Sequence, residues 1–238
     1  MQKMKNCGLN KPYLSIVIPV LNEAKNIRAT LRSTESDEGV ERVVVDGGSE
    51  DNTVEIARND GAKVVLSPPG RAKQLNRGAA EAQGEVFLFL HGDTRLPDGY
   101  ARYVRETMAR YEVVAGAFSL AIDSPQKSLK WVAGAANLRS RFTGFPYGDQ
   151  AIFLRADLFR ELGGFPELPV MEDFCLIQAL RRKGRVHILD QHVHTSARRW
   201  LRLGVLRTTL INQLMVMGFL LGVPVDFLAK IYGVVHKR

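Results

Sequence analysis

Acidic side chains at the ends of apolar runs are the chemistry-bearing feature of this 238-residue chain. The first lies in Val43-Val44-Val45-Asp46-Gly47-Gly48-Ser49-Glu50-Asp51. Asp46 closes an apolar run, and the glycines behind it let a ligand approach the backbone closely. That suits a turn that binds a base or a ribose; the plainer alternative is a strand–turn–helix corner capped by Ser49 or Asp51. The second lies in Phe87-Leu88-Phe89-Leu90-His91-Gly92-Asp93-Thr94. A carboxylate beside a glycine at a strand end suits a divalent cation that bridges a diphosphate. Its alternative is a turn Asp that caps a helix from Pro97. The third, Glu172-Asp173, opens a helix whose apolar face includes Phe174, Ile177 and Leu180. The helix dipole alone favours acids at that place. Between the first two, Pro68-Pro69-Gly70 opens a helix with Arg71 and Lys73 in its first turn. Cations there oppose the macrodipole, and an anion bound at the same helix start would offset that cost; two solvated side chains are the alternative.

Strands must carry these groups. Apolar runs at 14–20, 42–46, 63–66 and 85–90 alternate with helix-like segments at 23–33, 52–59 and 71–82. The runs are continuously apolar, as expected of strands covered by helices on both faces. The spacing predicts βαβ units and a parallel sheet, with ligands bound beyond the strand C-termini. After residue 110 the pattern changes to strands at 113–122, 150–154 and 185–189 and helices at 129–141, 157–162 and 173–183. The expectation is a Rossmann-type three-layer α/β/α fold with a mostly parallel mixed sheet. Its first domain covers 1–190, with a nucleotide-type half over 14–110 and an acceptor-type half over 111–190. A helical appendage follows over 191–238.

Hydrophobic residues make up 45% of the chain and charged residues 24%, a globular composition that excludes a disordered one. The net charge of +8 is uneven, since residues 191–238 hold seven Lys/Arg and one acid, Asp226. Charge confined to a tail speaks against a nucleic-acid-coating surface. Cys7 and Cys175 make neither a disulfide framework nor a zinc signature. The apolar run behind Lys3, Lys5 and Lys11 is broken by Pro19 and has no cleavage site, so it reads as a buried strand and the expected location is the cytoplasm.

In this order, Ile18-Pro19-Val20-Leu21-Asn22-Glu23, Val45–Thr53, Arg71–Gly78, His91-Gly92-Asp93, Gly148-Asp149-Gln150 and Glu172-Asp173 resemble the inverting family 2 glycosyltransferases of GT-A fold. The resemblance covers roughly residues 14–190. More narrowly, Tyr-Gly-Asp-Gln, Met-Glu-Asp and Thr-Ser-Ala-Arg-Arg-Trp resemble a bacterial subgroup labelled arsenosugar-type glycosyltransferases. The resemblance implies donor contacts at Pro19, Glu23, Asp46, Gly47, Arg71, Asn76 and Asp93. It implies a general base at Asp173, paired with Glu172, and a metal-binding acid at Asp93 for Mn²⁺ or Mg²⁺. The chain departs from the family at His91, where the first acid of Asp-x-Asp would stand. Imidazole suits Mn²⁺ better than Mg²⁺, so His91 is a candidate ligand, with His192 or His194 as a further one. Gln150, Arg198, Arg199 and Trp200 are candidates for acceptor or phosphate contact.

The implied reaction moves a sugar from a nucleotide-diphosphate donor to a hydroxyl on a lipid-linked or small acceptor. The competing readings are a nucleotidyltransferase and a catalytically impaired nucleotide-sugar-binding protein. In the tail, Trp200, Leu203, Leu206, Leu210, Leu214, Met217 and Leu221 form a stripe at helical spacing, so one amphipathic helix is expected over 198–221. No charge falls between Arg207 and Asp226, but Thr208, Thr209, Asn212, Gln213 and Pro224 argue against a membrane span. Two placements remain open: on a membrane surface as a peripheral contact, or packed on the domain or in a dimer interface.

Overall fold

The computed structural model describes residues 11–35 and 39–237. Lys3, Lys5 and Cys7 lie outside them. The first half runs β1 (Leu14–Val20), α1 (Ile27–Ser33), β2 (Val40–Asp46), α2 (Thr53–Asn59), β3 (Lys63–Leu66), α3 (Arg71–Glu81) and β4 (Val86–Phe89). It continues through β5 (Thr94–Arg95), α4 (Tyr100–Met108), β6 (Val113–Asp123), α5 (Lys127–Thr143) and a single 3-10 turn at Gly148–Gln150. The second half holds β7 (Phe153–Arg155), α6 (Ala156–Glu161), α7 (Glu172–Arg181), β8 (Arg185–Ser196), α8 (Arg198–Leu203), α9 (Val205–Leu220) and α10 (Val225–Lys237).

Eight strands form one sheet in the order β3-β2-β1-β4-β7-β6-β8-β5. Strands β3, β2, β1 and β4 run parallel, as does the β6–β8 pair, whereas β7 and β5 are antiparallel to their neighbours. The expected three-layer, mostly parallel mixed sheet is the fold found. Alternate residues of each strand feed the two faces. Leu14, Ile16, Ile18 and Val20 pack with Ile27 and Leu31 of α1, Val104 of α4 and Leu129 of α5. Val17, Val43 and Val45 pack with Leu75 and Ala79 of α3, Phe159 of α6 and Ile177 and Leu180 of α7. Gly78 brings α3 close to the sheet, since a Cβ there would lie 2.4 Å from Val17 Cγ1 and 2.7 Å from Val45 Cγ2.

The register sets the site. Val20 pairs with Asp46 and Val17 with Phe89, so the ends of β1, β2 and β4 lie side by side. Three expectations change in detail. The strand expected at 150–154 is β7, displaced because the 3-10 turn takes Gln150. The strand expected at 185–189 continues as β8 to Ser196, so the boundary placed at residue 190 falls inside a strand of the main sheet. The helix expected over 198–221 is two helices, broken at Gly204, whose φ of +86° ends one and starts the next.

Candidate active site

A cavity of about 720 Å³ opens beyond these strand ends. Its walls include Pro19 and Glu23 after β1, Arg71 and Gln74 from α3, His91 and Asp93 after β4, Asp149 from the 3-10 turn, and Glu172 and Asp173 from α7. The tail supplies Arg198, Arg199, Trp200, Asn212, Met215 and Tyr232. The segment expected to be an appendage therefore forms part of the cavity wall.

The backbone is held in unfavourable conformations where it presents these groups. Among the described residues, three non-glycine residues have left-handed backbone: Asn22 (φ 55°), Ala151 (φ 48°) and Met171 (φ 70°). Ala151 and Met171 each cost about 1 kcal/mol or more there, whereas Asn tolerates this conformation better. The three flank Glu23, the 3-10 turn and Glu172, in keeping with strain that collects at functional sites.

Both oxygens of Asp173 are fixed by backbone donors. Gly148 N–H donates to Oδ2 and Phe174 N–H to Oδ1, each at 2.7 Å. Glu172 is buried, and Arg71 Nε lies 3.8 Å from its Oε1. Burial raises the Glu172 pKa above the usual carboxylate value, against the pull of Arg71. Burial likewise raises Asp149, with Asp173 adding to the effect and Arg139 opposing it. His91 is held neutral: burial first, then Arg71 and Arg199, push its pKa well below the usual imidazole value.

On the opposite wall, Arg198 Nη2 donates to Glu23 Oε1 at 2.6 Å and lies 3.5 Å from Asp93 Oδ2. Burial raises the Asp93 pKa and the Glu23 charge adds to it, with Arg198 opposing. Arg199 donates to Asn212 Oδ1 at 2.6 Å and its guanidinium lies 4.8 Å from the Tyr232 ring centroid. Arg199 Nε and Trp200 Nε1 are buried donors with no hydrogen-bond acceptor among the described residues. Buried unpaired donors are rare, and two in one cavity wall fit a ligand that carries acceptor oxygens.

Five other candidates from the sequence are placed elsewhere. Asp46 is buried and accepts from Gly48 N–H at 2.9 Å and Ser49 N–H at 3.0 Å, which closes its own turn. Asn76 clamps a loop, donating to the Phe165 carbonyl at 2.8 Å and accepting from its N–H at 2.9 Å. Gln150 is fully buried and donates to the Phe118 carbonyl at 3.0 Å and to Ser140 Oγ at 3.2 Å. His194 faces away from the cavity wall, with Nδ1 3.2 Å from Asp123 Oδ1. Gly47 packs against Gln74, whose Nε2 donates to the Val20 and Val45 carbonyls and ties β1 to β2.

Sequence reasoning passed over Gln74, Tyr147, Asn212, Met215 and Tyr232 and assigned no role to Asp149. Asp149 had a readable signal, an acid in a Tyr-Gly-Asp-Gln turn. Asn212, Met215 and Tyr232 had none, because they reach the cavity only through the packing of α9 and α10.

No group of three His, Cys, Asp or Glu side chains able to hold a metal ion comes together among the described residues. Asp93 with Glu23 beside it still fits a divalent cation of the kind held by one or two carboxylates plus substrate phosphates. The burial that disfavours the Asp93 charge would be relieved by such an ion.

Comparison with known proteins agrees with this geometry. The model of the family described as Glycosyl transferase family 2 matches residues 15–160. The chain is 32% identical over 165 residues to undecaprenyl-phosphate 4-deoxy-4-formamido-L-arabinose transferase of Pseudomonas syringae, a match that covers 61% of this chain and 48% of the relative. Among solved structures, S. aureus TarS 1-349 in complex with UDP superposes with a TM-score of 0.62 at 21% identity, covering 77% of this chain and 60% of that one. Mannosyltransferase PcManGT from Pyrobaculum calidifontis, in complex with GDP-Man and Mn²⁺, gives 0.62 at 20% identity, covering 82% and 62%. These structures share the fold. The chain spans 31% to 63% of the length of the curated relatives it matches.

Proposed function

The chain belongs to glycosyl transferase family 2, and from that premise we propose that it transfers a sugar from a nucleotide-diphosphate donor to an acceptor hydroxyl with inversion. The observation that carries this reading is the shared cavity: the oriented carboxylate of Asp173 and the cations Arg71 and Arg199 line the same 720 Å³ space. Asp173 takes the proton from the acceptor hydroxyl. Arg71 and Arg199 meet the charge that develops on the leaving diphosphate. Asp93, with Glu23 beside it, would hold a divalent cation, Mn²⁺ or Mg²⁺, which supplies further charge to the diphosphate. His91, neutral and in the cavity wall, contacts ligand as a hydrogen-bonding group. A single displacement needs no enzyme nucleophile.

The name of the Pseudomonas syringae relative includes undecaprenyl-phosphate, which supports a lipid-linked acceptor. No helix among the described residues is long and apolar enough to cross a membrane. We propose that the protein works in the cytoplasm at the membrane periphery, where a lipid-linked acceptor would be met.

A panel of nucleotide sugars, with and without Mn²⁺ or Mg²⁺, tests the proposal. Specific donors raise the melting temperature, and the same donors release nucleoside diphosphate when an acceptor is supplied. Protection without any release under every acceptor condition would favour a binding protein over a transferase.

A further inference from the structure

The part of the stripe carried by α9, whose placement the sequence left open, faces outward. Leu206, Leu210, Leu214 and Met217 recur on one face of α9 and are 83%, 56%, 54% and 57% exposed, and Leu221 beyond them is 80% exposed. The inward side of α9 is mixed: Thr208 is fully buried and Met215 nearly so, and Asn212 lies in the cavity wall, so apolar side chains occupy both sides of the helix. A surface helix ordinarily turns its apolar stripe inward and leaves a polar face outside, and here a second apolar stripe is left outside. Helix α5, which packs against α9, buries Leu129 and Ala133 in the core and likewise leaves further apolar side chains outside. Its Trp131, Leu138 and Phe142, spaced by seven and four residues, are 81%, 60% and 83% exposed.

The charge around this surface is one-sided. Residues 124–148 and 191–225, which carry both helices, hold eight Lys/Arg and no Asp/Glu, leaving 25 of each in the rest of the chain. Of the eight, Arg198 and Arg199 line the cavity and Arg141 pairs with Asp190. Lys127, Lys130, Arg202 and Arg207 among them are exposed.

We propose that the exposed faces of α5 and α9 form one docking surface for an anionic lipid bilayer. Apolar side chains with cations of a single sign around them match an interfacial helix that sinks into the headgroup region. A second copy of this chain would set like charges against one another, which is disfavoured. The surface adjoins the cavity, since Met215 and Val216 line it while Leu214 and Met217, on either side in the sequence, are exposed. A hydroxyl carried on a lipid would meet the site from this side. That last step rests on the transferase reading; the docking surface does not.

Trp131 is a built-in probe, because the other tryptophan, Trp200, is buried. The intact protein is mixed with vesicles of phosphatidylcholine, with and without phosphatidylglycerol, and no nucleotide sugar. The expected result is co-sedimentation and a blue-shifted Trp131 emission with the anionic vesicles alone, reversed by salt. Lys130→Gln and Arg207→Gln should each weaken vesicle affinity about 5-fold, and Leu210→Glu should weaken it further at an unchanged melting temperature. No binding to anionic vesicles, equal binding to both kinds, or a lipid-free dimer that shields Trp131 would each overturn the proposal. Sugar transfer to a soluble acceptor by a protein that ignores vesicles would overturn the docking surface and leave the transferase reading intact.

Discussion

Gly148 N–H and Asp173 Oδ2 meet at 2.7 Å, which joins the 3-10 turn after α5 to the first turn of α7. With Phe174 N–H on the other oxygen, the carboxylate is aimed by two main-chain donors. A Cβ at Gly148 would lie 3.2 Å from the same oxygen and 3.3 Å from His91 Nε2, so the turn fits closely against both.

Asp173→Asn removes the proton acceptor and sets an amide group against two N–H donors. Turnover should fall by about 10²–10⁴-fold, while nucleoside-diphosphate binding stays nearly unchanged. Single-turnover assays beside titration calorimetry check both halves. Retention of most of the turnover would rule out Asp173 as the base.

Gln150→Ala separates a structural from a ligand-binding role. The variant leaves the Phe118 carbonyl and Ser140 Oγ without their buried partner, at a cost of about 1–3 kcal/mol. Urea unfolding should show that loss, and donor affinity should hold. Weakened donor binding at full stability would return Gln150 to the ligand.

Arg199→Ala deletes a partly desolvated cation from the cavity wall. Burial holds the Arg199 pKa below its usual value, so its charge is poorly solvated and available to an anion. The loss of a charge-assisted contact should weaken nucleoside-diphosphate binding by about 10-fold or more. The melting-temperature rise caused by the nucleotide should shrink accordingly, and an equal rise in variant and parent would contradict the assignment.

Glu172 makes stability depend on pH. Its folded-state pKa is raised above 4.5 by burial, so between 4.5 and that raised value the native state binds more protons than the unfolded one. Stability from this group is present on the acid side and is lost as pH rises through that window. Unfolding free energies measured from pH 4 upward should fall less steeply in Glu172→Gln than in the parent. Parallel curves would show that Glu172 does not titrate abnormally.

The parts of this protein that read directly from the sequence are those governed by local pattern. Continuous apolar runs such as Val43–Val45 and Phe87–Leu90 announce strands covered on both faces, and β2 and β4 lie there. Carboxylates that follow such runs, or that open a helix behind a glycine-rich loop, announce a ligand edge, and Asp93 and Asp173 line the cavity. Asp46, by contrast, has the same local signature and spends its carboxylate on Gly48 and Ser49. Whether a strand-end acid faces a ligand or its own turn depends on side-chain direction, which spacing does not encode.

The sequence by itself determined the α/β layering, the acid-edged sheet and the uneven charge, because each depends on neighbours a few residues apart. Only the tertiary structure decided what the tail is. The apolar stripe from Leu206 to Leu221 specifies a helical face but not its direction, since burying that face and offering it to another surface need the same periodicity. Long-range contacts settle the direction: Arg198 reaches Glu23 and Arg199 holds Asn212, so the side of α9 that carries Asn212 is drawn to the cavity and Leu206, Leu210 and Leu214 are left outside.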